Sequence, residues 1–324
     1  MSLTPPPAGA PLPGPSRATP SVGGPSTLRV LAWIGFALLA VVTGTLTVLA
    51  IWLSTGPRAL AVGTGLALVP VIPVVAFYLW LDRWEREPPS LLTFAFVWGA
   101  AVATFAALLL NTAADLLLVS SGQDATTTAV LVAPVVEELF KGLAVLLVFL
   151  LRRHEFDGVV DGLVYAGMVG IGFAFVENVL YLGTALTEDG GQGLAATFVV
   201  RCLFSPFAHP LFTSATGIGI GLAARTRRPA VRVLAPVLGY LVAVGLHGLW
   251  NYSASLGSTF LVLYVLVQVP LFVGYLVMAV LSRRREARVI ATHLAEYAAA
   301  GWVDPADAAM LGSLRVRRAA RRWA

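Results

Sequence analysis

Long apolar segments alternate with short polar breaks along most of this chain. Each segment is about as long as the roughly 20 helical residues that are needed to cross the hydrocarbon core of a bilayer. The pattern therefore predicts an all-α polytopic membrane protein with about eight transmembrane helices, at residues 30–53, 59–81, 91–119, 128–151, 160–186, 195–224, 233–253 and 258–281.

The composition excludes an ordinary soluble enzyme. Hydrophobic residues make up 58% of the 324 residues and charged residues only 12%, whereas soluble domains average about 45–50% and about 25%. The single cysteine, Cys202, also excludes a disulfide framework within the chain and a thiolate metal cluster.

Arginines are concentrated in every second break between the apolar segments. They follow the second, fourth, sixth and eighth segments, whereas the other breaks contain only Arg58. Because cytoplasmic loops carry an excess of basic residues, this pattern predicts a multi-pass protein of the cell membrane with both termini in the cytoplasm. The even number of predicted spans gives the same orientation.

The two ends of the chain differ from its apolar middle. Residues 1–28 contain eight of the 20 prolines and predict a disordered cytoplasmic tail. Residues 29–282 form the predicted transmembrane domain. Residues 283–324 predict a basic cytoplasmic tail with short helices at 283–298 and 305–324, the second of which begins at Asp304 and Pro305. The tail arginines suit anionic lipid headgroups of the bilayer, and no nucleic-acid partner is expected.

Four consecutive apolar segments carry ionisable residues within the predicted hydrocarbon layer, where each charge costs roughly 2.5–3.5 kcal/mol. In each of these segments an acid or a histidine lies about 15 or 16 residues from the cytoplasmic end, which corresponds to ~22–24 Å along a helix. Because independent polar residues would scatter in depth, the common level predicts one catalytic core in helices 4–7. The residues are Glu137, Glu138 and Lys141 in the fourth segment, Glu177 in the fifth, His209 in the sixth and His247 in the seventh.

A single buried histidine or glutamate is more often an interhelical hydrogen-bonding partner than a catalytic group. Several such residues at one depth instead favour a shared task, such as binding a metal ion, activating a water or conducting protons. Lys141 lies one helical turn from Glu137 and Glu138 and is expected to compensate one of these carboxylates.

Other residues in these segments have structural interpretations. Arg201 and Asp115 are expected to pair with each other at the mouth of a cavity. Pro206 and Pro210 are expected to bend the backbone on either side of His209. The glycines of the segment 217–221 resemble a nucleotide-binding motif by letters only, and in a membrane span they predict close helix packing.

Several motifs occur in the order that is typical of one family. Residues 137–141 read EExxK, residues 173–178 read FxxxEN, and an isolated histidine is followed by the segment His247-Gly-Leu-Trp-Asn251. The segments 82–88 and 157–165 are also similar to that family. Over roughly residues 75–280, the chain resembles the PrsW intramembrane proteases, a branch of the superfamily that includes type II CAAX prenyl proteases.

The resemblance implies site-1-type cleavage of membrane-anchored protein substrates, typified by anti-sigma factors. It implies that Glu137 and Glu138 are the catalytic glutamates and that Glu177, His209 and His247 complete the site. In one hypothesis, Glu137 is the general base that activates water, and Lys141 holds Glu138 as a supporting carboxylate.

The role of a metal is open at this level. In one version Glu177, His209 and His247 hold a divalent ion such as Zn²⁺, as in known His₂Glu zinc sites. In a metal-free version the two histidines stabilise the oxyanion. In that metal-free version, Asn178 and Asn251 are expected to donate further hydrogen bonds to the oxyanion.

Two other functions fit the same residues. Chains of glutamates and histidines also form proton relays, so a proton-coupled transporter or channel is the alternative function. That alternative would need a polar path to the cytoplasm, and the inner halves of segments four to seven contain no such acids or histidines. A scaffold without catalytic activity that binds membrane partners is the third interpretation.

Overall fold

A computed structural model describes residues 27–323 of the chain, and these residues contain helices but no strand. The predicted proline-rich tail lies outside the described residues except for positions 27 and 28, which are helical. The helices are α1 (Thr27–Leu81), α2 (Pro89–Ser120), α3 (Ala133–Leu151), α4 (Val159–Glu188), α5 (Gly190–Phe198), α6 (Ala208–Arg225), α7 (Pro229–Ser255), α8 (Gly257–Ala299), α9 (Pro305–Leu311) and α10 (Leu314–Trp323). Helical residues Ala125–Val132 lead directly into α3, and a π-helical segment, Val199–Phe204, continues α5.

Six of the helical segments are long and apolar enough to cross a membrane, and α5 and α6 together count as one of them. This result confirms the predicted all-α polytopic membrane protein. Within α1, Gly56 has a φ of 82° and is followed by Pro57, so two helical halves meet at a kink there. Glycine has no Cβ and therefore adopts this left-handed conformation without strain.

The structure corrects three predicted helix boundaries. Instead of ending near residue 281, α8 continues to Ala299 without the separate helix predicted at 283–298, because residues 282–299 contain neither Gly nor Pro. The predicted helix 305–324 is divided into α9 and α10 at residues 312–313, although Asp304 caps α9 as predicted by accepting a 2.7 Å hydrogen bond from the Ala306 amide. The predicted span 195–224 is interrupted at residues 205–207, around Pro206.

Close backbone contacts between helices hold α4 against its neighbours. A Cβ atom built on Gly162 of α4 would lie 2.1 Å from the Gly217 carbonyl oxygen of α6, and one on Gly172 would lie 2.1 Å from the Phe96 carbonyl oxygen of α2. Between α6 and α7, a Cβ atom on Gly219 would lie 2.3 Å from the Ala235 oxygen. These contacts confirm that the glycines of segment 217–221 serve helix packing, and they make α4 the centre of the bundle.

The described chain divides into two compact units. The larger unit, Leu39–Arg284, contains α2 to α7 and every residue predicted for the site. In the smaller unit, the end of α8 turns into α9 through a stacked pair, Tyr297 and Trp302, whose ring centroids are 5.5 Å apart.

Candidate active site

Helix α3 places two glutamates and a lysine on one buried face. Lys141 Nζ lies 2.6 Å from Glu138 Oε1 and 3.5 Å from Glu137 Oε2. Lys141 and Glu138 are 0% exposed and Glu137 is 4% exposed. The ammonium group therefore compensates both carboxylates, whereas the spacing predicted that it would compensate one of them.

His247 of α7 approaches the same two glutamates. Its Nδ1 is 3.0 Å from Glu138 Oε1, and its Nε2 is 3.7 Å from Glu137 Oε2. The Thr213 hydroxyl donates a 2.9 Å hydrogen bond to Glu138 Oε2. Both oxygens of Glu138 are thus engaged.

His209 lies in the first turn of α6, just after the interruption at Pro206, and links α3 to α4. Its Nδ1 is 3.1 Å from Lys141 Nζ, and its Nε2 is 2.7 Å from Glu177 Oε2. Because an ammonium group can only donate, Nδ1 accepts and Nε2 of the imidazole donates to Glu177. A Cβ atom on Gly170 of α4 would lie 2.6 Å from the Pro210 nitrogen, so only glycine allows this approach.

Arg201 has a different partner from the one that the sequence predicted. It forms an ion pair with Glu177, donates a 2.8 Å hydrogen bond from Nε to Asn178 Oδ1, and lies over the Tyr181 ring at 3.9 Å. Asp115 instead accepts a 3.1 Å hydrogen bond from the Thr128 hydroxyl. The predicted Arg201–Asp115 pair is wrong because a buried carboxylate on the adjacent helix α4 takes the guanidinium.

A cavity of about 330 Å³ opens onto these residues. Asn251 lines the cavity, but its side-chain nitrogen donates to the Ala129 carbonyl oxygen at 2.7 Å. Asn178 instead holds Arg201. The structure therefore brings together six of the predicted residues, with Asn178 and Asn251 at the edge. We call these six the Glu/His cluster: Glu137, Glu138, Lys141, Glu177, His209 and His247.

The sequence analysis missed Asn111 of α2. Its Nδ2 donates a 3.2 Å hydrogen bond to Glu137 Oε1, and its side chain lines the cavity. An amide within the apolar run Leu108-Leu109-Leu110-Asn111 was the signal that could have identified it.

Three of the buried side chains are arranged as metal ligands could be. Glu137, His209 and His247 each offer one ligand atom, and these atoms lie within 4.8 Å of one another. Glu137 Oε2 is buried without a hydrogen-bond donor among the described residues. Moreover, His247 directs Nδ1 at a carboxylate, an arrangement typical of imidazoles that bind metal through the other nitrogen. The residues therefore fit a divalent ion, with Glu137 in the position that the sequence analysis gave to Glu177.

A second group of buried carboxylates lies at the loop between α1 and α2. We call Asp82, Glu87 and Asp161 the loop carboxylate cluster. Asp82 Oδ1 accepts a 3.0 Å hydrogen bond from the Glu87 backbone amide, and Glu87 also accepts one from the Tyr165 hydroxyl. Burial raises the pKa of Asp82 to about 7 and the pKa of Glu87 to about 9, and the nearby Asp161 charge adds to both shifts.

A helical bundle with carboxylates and imidazoles buried beside an internal cavity is an arrangement that suits one class of protein, the intramembrane hydrolases. The sequence profile of the PrsW family intramembrane metalloproteases matches residues 87–291. The chain therefore belongs to the PrsW family of intramembrane proteases, as its motifs predicted.

Curated relatives agree with this assignment. Protease PrsW of Oceanobacillus iheyensis is 31% identical over 156 residues, which cover 48% of this chain and 66% of that protein. Protease PrsW of Clostridioides difficile is 25% identical over 207 residues, which cover 63% of this chain and 85% of that protein. Protease PrsW of Bacillus subtilis is 27% identical over 185 residues, which cover 57% of this chain and 79% of that protein. No solved structure matches the chain significantly.

Proposed function

We propose that this chain is an intramembrane endopeptidase that hydrolyses a membrane-anchored protein with water activated by Glu137. The observation that carries this proposal is the environment of the Glu137 carboxylate. It is buried at the cavity, one oxygen accepts a hydrogen bond from Asn111, and the other has no hydrogen-bond donor within residues 27–323. A carboxylate with a vacant acceptor can take a proton from water, which is the task of a general base.

Glu138 has a supporting role in this proposal. Lys141, His247 and Thr213 engage its two oxygens, so it has no position left for a water. It fixes the ammonium group and the imidazole that face Glu137.

The remaining side chains organise charge around the reacting carbonyl. Lys141 contacts both catalytic glutamates and His209, and the Arg201–Glu177 pair holds the other nitrogen of His209. In this proposal His247 and His209 stabilise the developing oxyanion once the substrate displaces Glu177 from His209 Nε2, with Asn251 at the edge of the cavity.

In a second version of the site, which holds a divalent ion such as Zn²⁺, Glu137 would be a metal ligand and not the base. Glu137, His209 and His247 would hold the ion, and His209 would first exchange one of its two present contacts. When bound, the ion would act as a Lewis acid on the substrate carbonyl. The metal-free version relies on the same side chains.

The proposed topology has eight spans with both termini in the cytoplasm of a cell-membrane protein. Two additions raise the six long apolar segments to eight. The kink at Gly56 makes two spans of the 55-residue α1, and α3 is long enough to span although its two glutamates and lysine make it more polar. The arginine-rich breaks set the orientation. Residues 29–282 would form the protease domain, and residues 1–28 and 283–324 would form cytoplasmic tails.

The proposed substrate is a single-span protein with an extracytoplasmic domain, of the anti-sigma-factor type. In the proposed orientation the Glu/His cluster lies in the outer half of the membrane, so the scissile bond would lie near the extracytoplasmic end of the substrate helix.

The decisive experiment compares the wild type with Glu137→Gln. We expect the substitution to lower cleavage of anchored substrates by about 10²–10⁴-fold because it removes the base. Membrane-protein fragments would be compared across the proteome, and Glu188→Gln, a change of an exposed glutamate at the end of α4, serves as control. Full activity of Glu137→Gln would refute the assignment of the base.

Metal content is tested separately from activity. If the cluster holds an ion, wild-type protein in detergent binds about one equivalent, and His247→Ala loses it. Equal metal content in both proteins would remove His247 from the ligand set.

One observation favours the proton-coupled alternative. A chain of hydrogen bonds links three buried hydroxyls, from Tyr78 through Tyr275 to Ser214. Ser214 also donates to the carbonyl of Pro210, the residue that follows His209. Flux driven by a pH gradient in liposomes, without proteolysis, would favour this function over the protease.

A further inference from the structure

We infer that Asn111 is a positioning residue for the catalytic carboxylate, so that α2 contributes to the site together with α3 to α7. This inference rests on the proposed role of Glu137 as the base. None of the motifs that identify the family includes α2 residues near position 111.

The contact geometry shows what Asn111 does. Its Nδ2 donates a 3.2 Å hydrogen bond to Glu137 Oε1, while Glu137 Oε2 faces Lys141 at 3.5 Å and His247 at 3.7 Å. A carboxylate held by one oxygen cannot rotate freely about its terminal bond. Asn111 therefore keeps the second oxygen directed at the reacting groups.

The orientation of the amide follows from the same contact. If the amide were reversed, its oxygen would face the Glu137 oxygen, and two acceptors would repel each other. In the orientation present, the Asn111 Oδ1 atom is buried without a hydrogen-bond donor among residues 27–323. A buried acceptor without a partner destabilises a fold. An apolar residue would therefore suit this position better if it had only a packing role.

The helix that carries Asn111 is fixed close to the site. Residues Trp98–Ala103 of α2 form a π-helical segment, a feature often found at functional sites. The Trp98 indole donates a 2.9 Å hydrogen bond to the Phe140 carbonyl oxygen, between Glu138 and Lys141 on α3. A Cβ atom on Gly99 would lie 2.1 Å from the Val169 oxygen of α4. These contacts anchor α2 to both α3 and α4 about three and a half turns from Asn111.

The test uses the purified full-length protease and an anchored peptide that the wild type cleaves. Asn111→Leu removes the donor at similar volume, and Asn111→Asp keeps the shape but places an acceptor against Glu137. We expect kcat to fall about 10–100-fold for Asn111→Leu and further for Asn111→Asp, with KM nearly unchanged.

Stability separates positioning from packing. Unfolding is followed with a thiol-reactive fluorophore at Cys202, the one cysteine of the chain, which is buried. Asn111→Leu should unfold within about 2 °C of the wild type or above it, since it removes a buried orphan acceptor. The neighbouring Thr112→Val is the matched control for a polar-to-apolar change on the same helix.

The outcomes are distinguishable. Wild-type kcat and KM in both Asn111 variants would overturn the inference and leave Glu137 as the base. Loss of activity in step with lower stability in Asn111→Leu, with normal activity in Asn111→Asp, would also overturn it. If Glu137→Gln cleaves as well as the wild type, the proposed function fails, and the inference fails with it.

Discussion

The Glu/His cluster and the loop carboxylate cluster both contain several acids, but they differ in the groups that contact the carboxylates. In the first, Lys141 and Arg201 contact the carboxylates directly and two imidazoles complete the network. In the second, the direct partners are a tyrosine hydroxyl and backbone amides.

The two clusters also differ in whether their buried carboxylates are ionised or keep a proton. Where cations are in contact, buried carboxylates can stay ionised because their charge is compensated. In the loop cluster, burial outweighs the partial compensation of Asp82 by Arg86, and the raised pKa of Glu87 keeps a proton on it at neutral pH. Buried acids alone therefore do not indicate a reactive site. Cations in direct contact with the carboxylates distinguish the Glu/His cluster, since a cavity also adjoins Asp82 and Glu87 of the loop carboxylate cluster.

The largest effect on stability and activity is expected from removing the ammonium group of Lys141. Lys141→Met leaves two buried carboxylates without their ammonium partner, so we expect a loss of stability of about 3–5 kcal/mol and loss of cleavage. Thermal unfolding reported by Cys202 and peptide cleavage measure the two effects. Arg232→Met, on an exposed position of α7, should change neither. A stable, active Lys141→Met protein would show that the carboxylates need no internal cation.

An intermediate effect is expected from the second cation. Arg201→Lys keeps the charge but loses the planar fork that holds Glu177 and Asn178, so kcat/KM should fall about 10–100-fold. By contrast, Asp115→Asn should change it less than about threefold, because Asp115 does not pair with Arg201. The reverse order of these two effects would restore the Arg201–Asp115 pair that the sequence suggested.

The smallest effect on activity, with a clear effect on pH dependence, is expected at Glu87. An unperturbed glutamate has a pKa of 4.5, whereas burial raises the pKa of Glu87 to about 9 in the folded chain. The folded state therefore retains a proton that the unfolded state has lost, and this contribution to stability is complete below pH 4.5 and is lost as pH rises toward 9. Asp82 behaves likewise up to about pH 7.

Glu87→Gln imitates the protonated acid at every pH. Its unfolding temperature should stay nearly constant between about pH 7 and 9, where that of the wild type should fall by a few degrees. Cleavage at pH 7 should change less than about twofold. Glu155→Gln, in the loop between α3 and α4, is the control and should keep the wild-type slope. A parallel slope in Glu87→Gln would place the proton elsewhere in the loop cluster.

Much of the fold was predictable because the bilayer constrains it. A span needs about 20 apolar residues, so all eight predicted segments fall on helices. The errors lie where no such constraint acts. Beyond the last apolar residue, only helix propensity decided that α8 continues to Ala299. At Pro206, local backbone chemistry interrupts a segment that is long and apolar enough to be predicted as one span.

The chain's amino-acid sequence alone determined which residues carry ionisable groups in the membrane, at what depth they lie, and the family they belong to. These properties depend on position along a helix, and helical geometry is fixed at about 1.5 Å per residue. The rotation of each helix about its axis decided which of these side chains contact one another. Only the tertiary structure shows that Arg201 faces Glu177, that Glu137 lies within ligand distance of both histidines, and that Asn111 reaches Glu137. Those choices depend on close contacts between helices, such as the glycine contacts of α4, which a single sequence read along its length does not reveal.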